Sequence, residues 1–419
     1  MNMFKKVLSL VLVIAMAATA VFGLVSCNNK GNGDQKTDES GENSGNKDFK
    51  VGFIFLHDEN STYDKNFLDA AKAAAKAAGL TDSQILLKTN IPESVKCYEA
   101  AAELADEGCK LIFADSFGHE DHIIRAAGEF PDVQFFHATG TKAHTLNLPN
   151  FHNAFASIYE GRYLAGIAAG MKIQSMIDAG TITADKAKMG YVGAFNYAEV
   201  VSGLTSFYLG AKSVCPTVTM EVTYTNSWFD IALEKEAALK LINDGCVLIS
   251  QHADSEGAPK ACEEKKVPNV AYNISTISIA PNTALISSKI NWEPYMTMII
   301  KETMAGRKVD NDICYGIKDG AVELTELNAA VAAPGTQEKI DEAMAKLKEG
   351  TLKVFDTTTF TVEGKTLTTF MADVDTDEKF TPDHEAIVDG YFAESTLRSA
   401  PYFSLMYIDG ITEMKDSKD

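Results

Sequence analysis

The sequence predicts an α/β protein whose mostly parallel sheets form two lobes, and three observations support this fold class. Short runs of β-branched and aromatic residues alternate with Ala-rich segments that repeat apolar residues at helical spacing. This alternation runs through two cycles along the 419 residues. The composition, 46% hydrophobic and 23% charged, is that of a globular protein and excludes collagen, coiled coil and wholesale disorder. Strands that alternate with helices form parallel sheets with right-handed crossovers, so two cycles predict two lobes.

Residues 1–26 have the pattern of a secretion signal. Lys5 and Lys6 precede an apolar run over residues 7–20. The sequence Leu-Val-Ser-Cys that ends at Cys27 resembles a bacterial lipobox, in which the Cys thiol is lipidated and the peptide upstream is removed. A transmembrane anchor is the alternative, because residues 7–25 are nearly long enough to span a bilayer. The lipobox is favoured because a polar tether follows it, and a diacylated Cys27 would anchor the chain at the extracytoplasmic face of the cell membrane.

A flexible tether is predicted for residues 27–48. After Cys27 it contains only Gly and polar or charged residues, so it cannot bury enough surface to offset the entropy of ordering. Lobe 1 is predicted to cover residues 49–151 and roughly 276–311. Lobe 2 is predicted to cover residues 152–275 and roughly 312–419, with a C-terminal hairpin extension.

The first cycle of elements begins with a buried type of strand. The predicted strands cover residues 51–56, 85–87, 111–114 and 133–137. The predicted helices between them cover residues 63–78, 93–107 and 119–129, and Gly79 is a C-terminal stop for the first helix.

The second cycle follows a long helix predicted over residues 155–174. Its predicted strands cover residues 189–192, 218–224, 247–251 and 270–274. Beyond residue 320 the pattern changes to a helix-containing segment over residues 325–350. Residues 353–368 then alternate as strands joined by a hairpin turn at Glu363, Gly364 and Lys365. Residues 371–400 are acidic and have no assigned role.

Residues that follow the predicted strands are the candidate ligand contacts, because open parallel sheets bind ligands beyond the carboxyl ends of their strands. Aromatic, amide and carboxylate side chains recur at these positions. An aromatic plane can stack on a flat ligand while Asp and Asn bind its hydrogen-bonding edge, which favours a small polar heterocycle. The set comprises His57, Asp58, Glu59, Asp115, Ser116, Phe117, Gly118, His119, Phe195, Asn196, Asn226, Ser227, Trp228, Phe229, Asp230, His252, Asp254, Ser255 and Asn273.

Four motifs in order resemble the basic membrane protein family of ABC-transporter substrate-binding lipoproteins, which is similar to the purine-nucleoside receptor lipoproteins. They are FASIYEGRYLAGIAAG at 155–170, KMGYVG at 188–193, TNSWFD at 225–230 and QHAD at 251–254. The resemblance extends from about residue 50 to at least residue 324. It implies a type I periplasmic-binding-protein fold, with two Rossmann-like lobes joined by crossover strands, and an ABC permease and ATPase as partners. It also implies capture of a purine base or nucleoside without catalysis.

The resemblance also assigns ligand contacts to residues of this chain. Asp58 and Phe195 are also candidate ligand contacts, because each follows a predicted strand. The residues that match family positions in the first lobe are Tyr63, Asp64, Phe67, Ser116, Phe117 and Gly118. Those in the second lobe are Trp228, Asp230, Asp254 and Asn273, and Lys289 matches a position where many members have a Lys near the sugar. Nucleoside-binding members carry Asp where this chain has Asn273, and an amide accepts fewer hydroxyl hydrogen bonds than a carboxylate, so a free base is favoured over its nucleoside.

Several of these residues also have a structural interpretation. Phe67 has the spacing of a core residue on its helix, and Tyr63 could lie at the surface. Asp58 and Asp64 flank a helix N-terminus, where carboxylates are favourable without any ligand. Asn273 could be a turn residue after a strand. In the long helix, Glu160 and Arg162 are interpreted as structural charges that pair across the lobe junction.

Other functional classes are disfavoured. The 58 acidic and 38 basic residues give a formal charge of −20, which opposes binding to nucleic acid. The seven Cys residues form no CxxC pair. His119 and His122 share a helix face, but no third ligand is visible, so no metal or cofactor is expected. Without a GxSxG, P-loop or HExxH motif, the chain is not expected to be an enzyme.

Two functions remain open from the sequence. The first is the receptor of an ABC importer, which would close around its ligand as a monomer with two hinged lobes. The second is a surface lipoprotein of the same fold with a sensory or adhesive role, which would bind another flat heterocycle such as a flavin. Motifs in the chain do not separate these two functions.

Overall fold

The computed structural model describes residues 48–146, 148–375, 384–405 and 407–414. The predicted signal peptide, the lipidation site at Cys27 and the tether up to residue 47 lie outside the described residues. Within these ranges, no helix combines the length and the apolar character that crossing a lipid bilayer requires.

Lobe 1 is built on a six-stranded parallel sheet with the order β11-β5-β4-β3-β1-β2. Its strands are β1 (Lys50–Ile54), β2 (Ile85–Lys88), β3 (Cys109–Ala114), β4 (Gln134–Ala138), β5 (Phe151–Ala156) and β11 (Asp312–Tyr315). Its helices are α1 (Thr62–Ala77), α2 (Val95–Asp106), α3 (Glu120–Glu129) and α8 (Glu293–Met304). The central strands are continuous apolar runs because helices cover both faces of the sheet.

Lobe 2 is built on a seven-stranded sheet with the order β12-β10-β9-β8-β6-β7-β17. Its strands are β6 (Lys188–Gly193), β7 (Thr219–Tyr224), β8 (Leu248–His252), β9 (Asn269–Tyr272), β10 (Ala284–Ile290), β12 (Val322–Leu324) and β17 (Ile411–Glu413). Its helices are α4 (Ile158–Asp178), α5 (Ala198–Lys212), α6 (Ile231–Asn243), α7 (Gly257–Lys265) and α9 (Thr336–Glu349). In the described chain β12 runs antiparallel to β10, and the other pairings in this sheet are parallel.

The chain crosses between the lobes at three points of the described residues. Ser157 connects β5 to α4, residues 291–292 connect β10 to α8, and Gly316 leads from β11 toward β12. These crossovers form the hinge of the molecule. The predicted α/β architecture, two lobes of parallel strands joined by crossover strands, is confirmed.

The sheets place the lobe boundaries differently from the sequence prediction. Strand β5 pairs with β4 and β11 pairs with β5, so residues 152–156 and 312–315 belong to lobe 1 rather than lobe 2. Strand β10 pairs with β9 and belongs to lobe 2 rather than lobe 1. The helix predicted from residue 155 begins at Ile158, because β5 occupies the preceding residues.

The two longest helices of lobe 2, α4 and α5, pack at unusually short range. A Cβ added at Gly166 would lie 2.1 Å from the backbone oxygen of Phe207, and one added at Gly210 would lie 2.0 Å from that of Tyr163. The two backbones can approach so closely only because these positions lack a Cβ.

The C-terminal extension, defined here as residues 351–414, differs from the predicted hairpin. Glu363 and Gly364 both have positive φ, and Val362 forms a single antiparallel bridge with Lys365. The predicted turn is therefore present, but long flanking strands are not found in the described residues. Short two-residue strands follow instead as β13 (Met371–Ala372), β14 (His384–Glu385), β15 (Ile387–Val388) and β16 (Tyr391–Phe392).

This extension is attached to both lobes. In lobe 1, the Ser399 N–H donates to Asp312 Oδ2 at 2.7 Å, and the Asn153 amide donates to Ser399 Oγ at 2.6 Å. In lobe 2, the Ser202 hydroxyl donates to Glu394 Oε1 at 2.5 Å, and β17 completes the edge of the sheet beside β7. Glu394 and Ser399 are five residues apart, so their Cα atoms cannot separate by more than about 18 Å.

Candidate functional site

A cavity lies between the lobes at the carboxyl ends of their strands. This is the edge of the sheets where the strand order places ligands in open α/β folds. The space inside it that a water molecule can reach is only about 20 Å³, and about 380 Å³ is free of atoms when the opening to solvent is included. The cavity is lined by Leu56, His57, Tyr63, Asp64, Ser116, Phe117 and Thr139 from lobe 1 and by Glu199, Trp228, His252 and Asp254 from lobe 2.

Asp64 is held in the wall of lobe 1 by its own neighbours. Its Oδ1 accepts from the His57 N–H at 2.7 Å, and its Oδ2 accepts from the Ser61 hydroxyl at 2.6 Å and lies 3.2 Å from His57 Nδ1. Burial alone would raise the pKa of Asp64, but the hydrogen bonds from His57 and Ser61 bring it below its ordinary value. Asp64 therefore faces the cavity as an ionised carboxylate that also fixes the His57 ring.

Asp115 lies directly behind this wall. The Tyr63 hydroxyl donates to the Asp115 backbone oxygen at 2.7 Å, and the Leu56 N–H donates to Asp115 Oδ1 at 3.2 Å. Burial and the nearby Asp64 charge raise the pKa of Asp115 well above its ordinary value. Asp115 thus supports two residues that line the cavity.

The wall of lobe 2 contains two further carboxylates and a histidine. Burial raises the pKa of Asp254 well above its ordinary value, and Glu234 and Asp64 raise it further. Burial also raises the pKa of Glu199 to about 7. Burial and the Arg162 guanidinium lower the pKa of His252 well below its ordinary value, so its ring is neutral. Glu199 Oε1 lies 3.4 Å from His252 Nε2.

Arg162 lies behind this wall. It is 1% exposed, its guanidinium lies 3.6 Å from the centre of the Tyr272 ring, and its Nη1 donates to the Gln251 backbone oxygen at 2.7 Å. Glu160 instead accepts from the Ile317 N–H at 2.7 Å. Each of these two residues therefore has a structural partner, and in both cases the partner is a backbone group.

Aromatic side chains surround the entrance of the cavity. Trp228 is half-buried and meets Phe195 edge to face, with ring centres 5.0 Å apart. Phe117 of lobe 1 and Tyr197 of lobe 2 are exposed, and their ring centres are 5.8 Å apart across the cleft. A flat ligand inside would therefore meet an aromatic surface at the entrance and carboxyl groups within.

The two lobes contact each other beside the cavity, so this is a closed conformation. The Thr62 N–H and hydroxyl both donate to the Asp254 backbone oxygen, at 2.8 and 3.1 Å. The His57 ring lies 5.3 Å from the Phe229 ring. Closure of the lobes thus brings residues that line the cavity into direct contact.

The structure brings about half of the predicted ligand contacts together. The predicted residues that line the cavity are Tyr63, Asp64, Ser116, Phe117, Trp228 and Asp254. The predicted residues outside its lining are Asp58, Phe67, Gly118, Phe195, Asp230, Asn273 and Lys289.

The predicted residues of lobe 1 that lie outside the cavity lining have structural partners. Asp58 accepts from the Asn60 side chain at 2.7 Å. Phe67 is fully buried, with its ring 4.5 Å from that of Trp292, in agreement with its core spacing. The Gly118 N–H donates to Glu93 Oε1 at 2.7 Å.

Three predicted residues of lobe 2 are also held outside the cavity. Asp230 caps α6, where its Oδ1 accepts from two backbone N–H groups at 2.9 Å. Lys289 forms an ion pair with Glu323 at 2.9 Å. Asn273 has a φ of 68° and lines, together with Lys289, a separate groove between α1 and the sheet of lobe 2. Its backbone geometry agrees with the turn interpretation.

Two further lining residues, His57 and His252, were strand-end candidates that the family resemblance did not assign as ligand contacts. Three other lining residues were not among the candidates at all. Leu56 is apolar, and Thr139 follows β4 by one residue. Glu199 lies in the first turn of α5, a helix that the sequence pattern did not reveal.

The His119 and His122 pair does not form part of a metal cluster in the described residues. No group of three or more His, Cys, Asp or Glu side chains there could hold a metal ion. His119 Nε2 instead lies 2.9 Å from the Ile91 backbone oxygen.

Comparisons with known proteins agree with this geometry. A family described as "ABC transporter substrate-binding protein PnrA-like" matches residues 54–354. A purine-binding protein of Brucella abortus (strain 2308) is 33% identical over 310 residues, which cover 73% of this chain and 83% of that protein. An ABC transporter nucleoside-binding protein, BmpA of Lactococcus lactis subsp. cremoris, is 23% identical over 371 residues, covering 82% of this chain and 96% of its own.

A solved structure shares the fold. An ABC transporter solute-binding protein from Conexibacter woesei superposes with a TM-score of 0.60 at 21% identity. The match covers 73% of this chain and 98% of that protein. The fold common to both is the two-lobed fold of periplasmic solute-binding proteins.

Proposed function

The chain belongs to the family of PnrA-like ABC transporter substrate-binding proteins, as its motifs predicted, and we propose that it captures a purine base or nucleoside between its lobes. The family and the relatives compared above are described as substrate-binding proteins rather than enzymes. The observation that carries the proposal is the combination of Trp228 with Asp64, Glu199 and Asp254 in one cavity. A purine offers a flat ring for the aromatic side chain and N–H groups for the carboxylates.

Within this class we propose that the free base binds more tightly than its nucleoside. Asn273 and Lys289, the residues expected beside a ribose, line a different groove. The two residues that would bind the sugar are therefore separate from the cavity lining, whereas the carboxyl and aromatic groups that suit a base belong to it.

We further propose that the protein delivers its ligand to an ABC permease and ATPase as a monomer. It would act at the extracytoplasmic face of the cell membrane, anchored by lipid on Cys27. A Cys27→Ser variant should lose both acyl label and membrane fractionation, and retention of both would contradict the anchor.

The ligand is tested by calorimetric titration of the protein, purified through unfolding and refolding to remove carried ligand. The panel comprises adenine, guanine, hypoxanthine, adenosine, guanosine, inosine, riboflavin and glucose. Saturable binding of a purine is expected, with each base tighter than its nucleoside. A nucleoside that binds at least as tightly as its base contradicts the preference, and binding of riboflavin or glucose alone contradicts the purine proposal.

The location of the ligand is tested through the two tryptophans. Trp228 lines the cavity, whereas Trp292 is 3% exposed and stacked on Phe67. Ligand-induced change in fluorescence should persist in Trp292→Phe and disappear in Trp228→Phe. The opposite pattern would place the ligand elsewhere.

The role of Asp254 is tested by substitution. Within the described residues no donor reaches its carboxylate, which leaves it available to a ligand N–H. Because burial favours the neutral form of this carboxyl group, a hydrogen bond to it contributes about 0.5–1.5 kcal/mol, so Asp254→Ala should weaken binding by roughly two- to tenfold. Asp230→Ala is the control, because Asp230 caps α6 outside the cavity. Unchanged affinity in a folded Asp254→Ala variant would give Asp254 a structural role only.

A further inference from the structure

A second cavity lies at the hinge, apart from the ligand cavity. The space inside it that a water molecule can reach is about 180 Å³. It is bounded by Ser157 at one crossover, by Cys314 of β11 and by the C-terminal extension. We call it the hinge cavity. The extension provides much of its wall, including residues 391–396, which lie beyond the part of the chain that the family matches.

Glu394 places a buried carboxyl group in the wall of the hinge cavity, and the residue is 3% exposed. Burial raises its pKa to about 7, and a cation beside it would favour the ionised form. The Ser202 hydroxyl donates to its Oε1 and the Ser395 side chain lies nearby, but no donor among the described residues is within hydrogen-bond distance of its Oε2. A cationic donor from outside the chain would therefore stabilise this oxygen.

A second carboxylate increases the negative charge of the wall. Glu160 lines the same cavity, where its Oε2 accepts from the Ile317 N–H at 2.7 Å. The other charged residue in the lining is Lys353. Lys353 is exposed, and its Nζ lies over the Tyr391 ring, 4.8 Å from the ring centre. Two carboxylates against one lysine favour a cationic ligand over an anionic one.

Aromatic rings also form part of the wall of the hinge cavity. Tyr159, Phe355, Tyr391 and Phe392 all line the cavity, and the rings of Tyr159 and Phe355 are 5.1 Å apart. The position of Lys353 over Tyr391 shows that an ammonium group is compatible with this aromatic surface. Aromatic faces combined with carboxylates bind organic ammonium ions by cation–π attraction and charge.

We propose that the hinge cavity is a second ligand site, for a small organic ammonium ion. The ammonium group would lie between the Glu394 carboxylate and the aromatic rings, and its alkyl part would contact Phe355 and Phe392. A bare metal ion fits less well, because the described residues contain no group of three or more metal-ligating side chains. The site is independent of the proposed purine site, since the two cavities share no lining residue.

The proposal is tested by calorimetric titration of the full chain with choline and with ethylammonium. The neutral isostere of choline, in which carbon replaces the nitrogen, is the ligand control. Saturable binding of an ammonium ion is expected, both in the free protein and in protein saturated with a purine, and the isostere should not bind. If neither ammonium ion binds, if the isostere binds as well as choline, or if purine displaces choline, the proposal is wrong.

Two matched substitutions identify the residue responsible. Glu394→Gln keeps the side-chain volume and an acceptor for Ser202, and it should weaken ammonium binding by about ten- to a hundredfold. Glu349→Gln makes the same charge change on the exposed end of α9, outside both cavities, and should bind as the unaltered protein does. Purine affinity should be the same in both variants. Equal ammonium affinity in the two variants would overturn the assignment to Glu394.

A third variant keeps the test decisive if Glu394→Gln does not fold. Tyr391→Leu preserves an apolar side chain but removes the aromatic face, so choline binding should weaken severalfold. Unchanged choline affinity in this variant would contradict the aromatic part of the site.

Discussion

At the residue scale, the ligand cavity combines carboxyl groups and a histidine whose environments oppose their ionisation. Burial raises the pKa of Glu199 to about 7, while burial and Arg162 keep His252 neutral. The cavity can therefore offer acceptors and donors together near neutral pH. That combination suits a heterocycle whose edge has both kinds of group.

The Glu199 pKa predicts a pH-dependent effect on stability. An unfolded glutamate has a pKa of about 4.3, so between that value and about 7 the folded state binds more protons at Glu199 than the unfolded state. The contribution of Glu199 to the free energy of unfolding therefore falls as pH rises through this window. Relative to the unaltered protein, Glu199→Gln should become more stable from about pH 5 to about pH 8.

Denaturant unfolding of both proteins without ligand, at each pH, measures this difference. Glu349→Gln is the control, because it makes the same substitution at an exposed carboxylate outside the cavity. The comparison between variants is needed because His119 and His252, whose pKa values burial lowers, change the total stability in the opposite direction. If the free energy of unfolding of Glu199→Gln relative to the unaltered protein stays constant from about pH 5 to about pH 8, the prediction is wrong.

Strand-end position was the most useful residue-level signal in the sequence. It placed Asp254 and Trp228 in the cavity, and both histidines of the lining follow or end strands as well. It could not separate a cavity residue from a cap, since Asp230 and Asp254 have the same chemistry and similar positions. The difference depends on which way each side chain turns, and that is decided by packing between distant segments.

At the element scale, the close contact of α4 and α5 predicts a sharp difference between two glycines. Gly166→Ala would place a methyl group against the Phe207 backbone, which cannot move aside as a flexible side chain can. Overpacking costs about 1–3 kcal/mol, and we expect a loss at the upper end. Gly128→Ala on α3 meets no atom within 4 Å and should be neutral or stabilise by up to about 1 kcal/mol.

Thermal and denaturant unfolding of the two variants tests this expectation. Both substitutions are Gly→Ala within a helix, so helix propensity acts equally on them and the difference isolates the helix contact. If Gly166→Ala is as stable as Gly128→Ala, the backbones are not as close as the structure places them.

Strands β1–β4 and β6–β9 and helices α1–α4 and α9 could be predicted from the sequence because their apolar periodicity is regular. Strands β10–β12 and helices α5–α8 were not predicted, and β5 was missed because His152 and Asn153 interrupt its apolar pattern. Both are buried and have internal partners, His152 with Gln134 and Asn153 with Gly140. A strand whose polar groups are satisfied by distant residues gives no local signal.

At the scale of the whole molecule, the C-terminal extension restrains the two lobes relative to each other. Its attachment to lobe 1 includes the hydrogen bond from the Ser399 N–H to Asp312. Asp312→Ala leaves that buried N–H without its acceptor, at a cost of about 1–3 kcal/mol. We expect residues 396–400 to exchange their amide hydrogens faster while the lobes stay folded.

Hydrogen–deuterium exchange with mass spectrometry measures this change. Asp310→Ala, two residues earlier and exposed, should leave exchange in the extension unaltered. Equal exchange in the two variants would show that the extension does not depend on this attachment.

The lobe boundaries could not be predicted because they depend on pairing between distant segments. Nothing in residues 284–290 or 312–315 distinguishes a strand of lobe 1 from a strand of lobe 2. Only the sheet order assigns β10 to one and β11 to the other.

Each lobe contains segments from both halves of the chain, which restricts the order in which the two lobes can fold. Lobe 1 needs α8 and β11, which follow the centre of lobe 2 along the chain, and the sheet of lobe 2 is completed by β17 at residues 411–413. Lobe 1 lacks its last strand until residue 315 is available, and lobe 2 until residue 413. Domains that are continuous in sequence can fold one after the other, whereas lobe 1 cannot be completed here until the centre of lobe 2 is available as well.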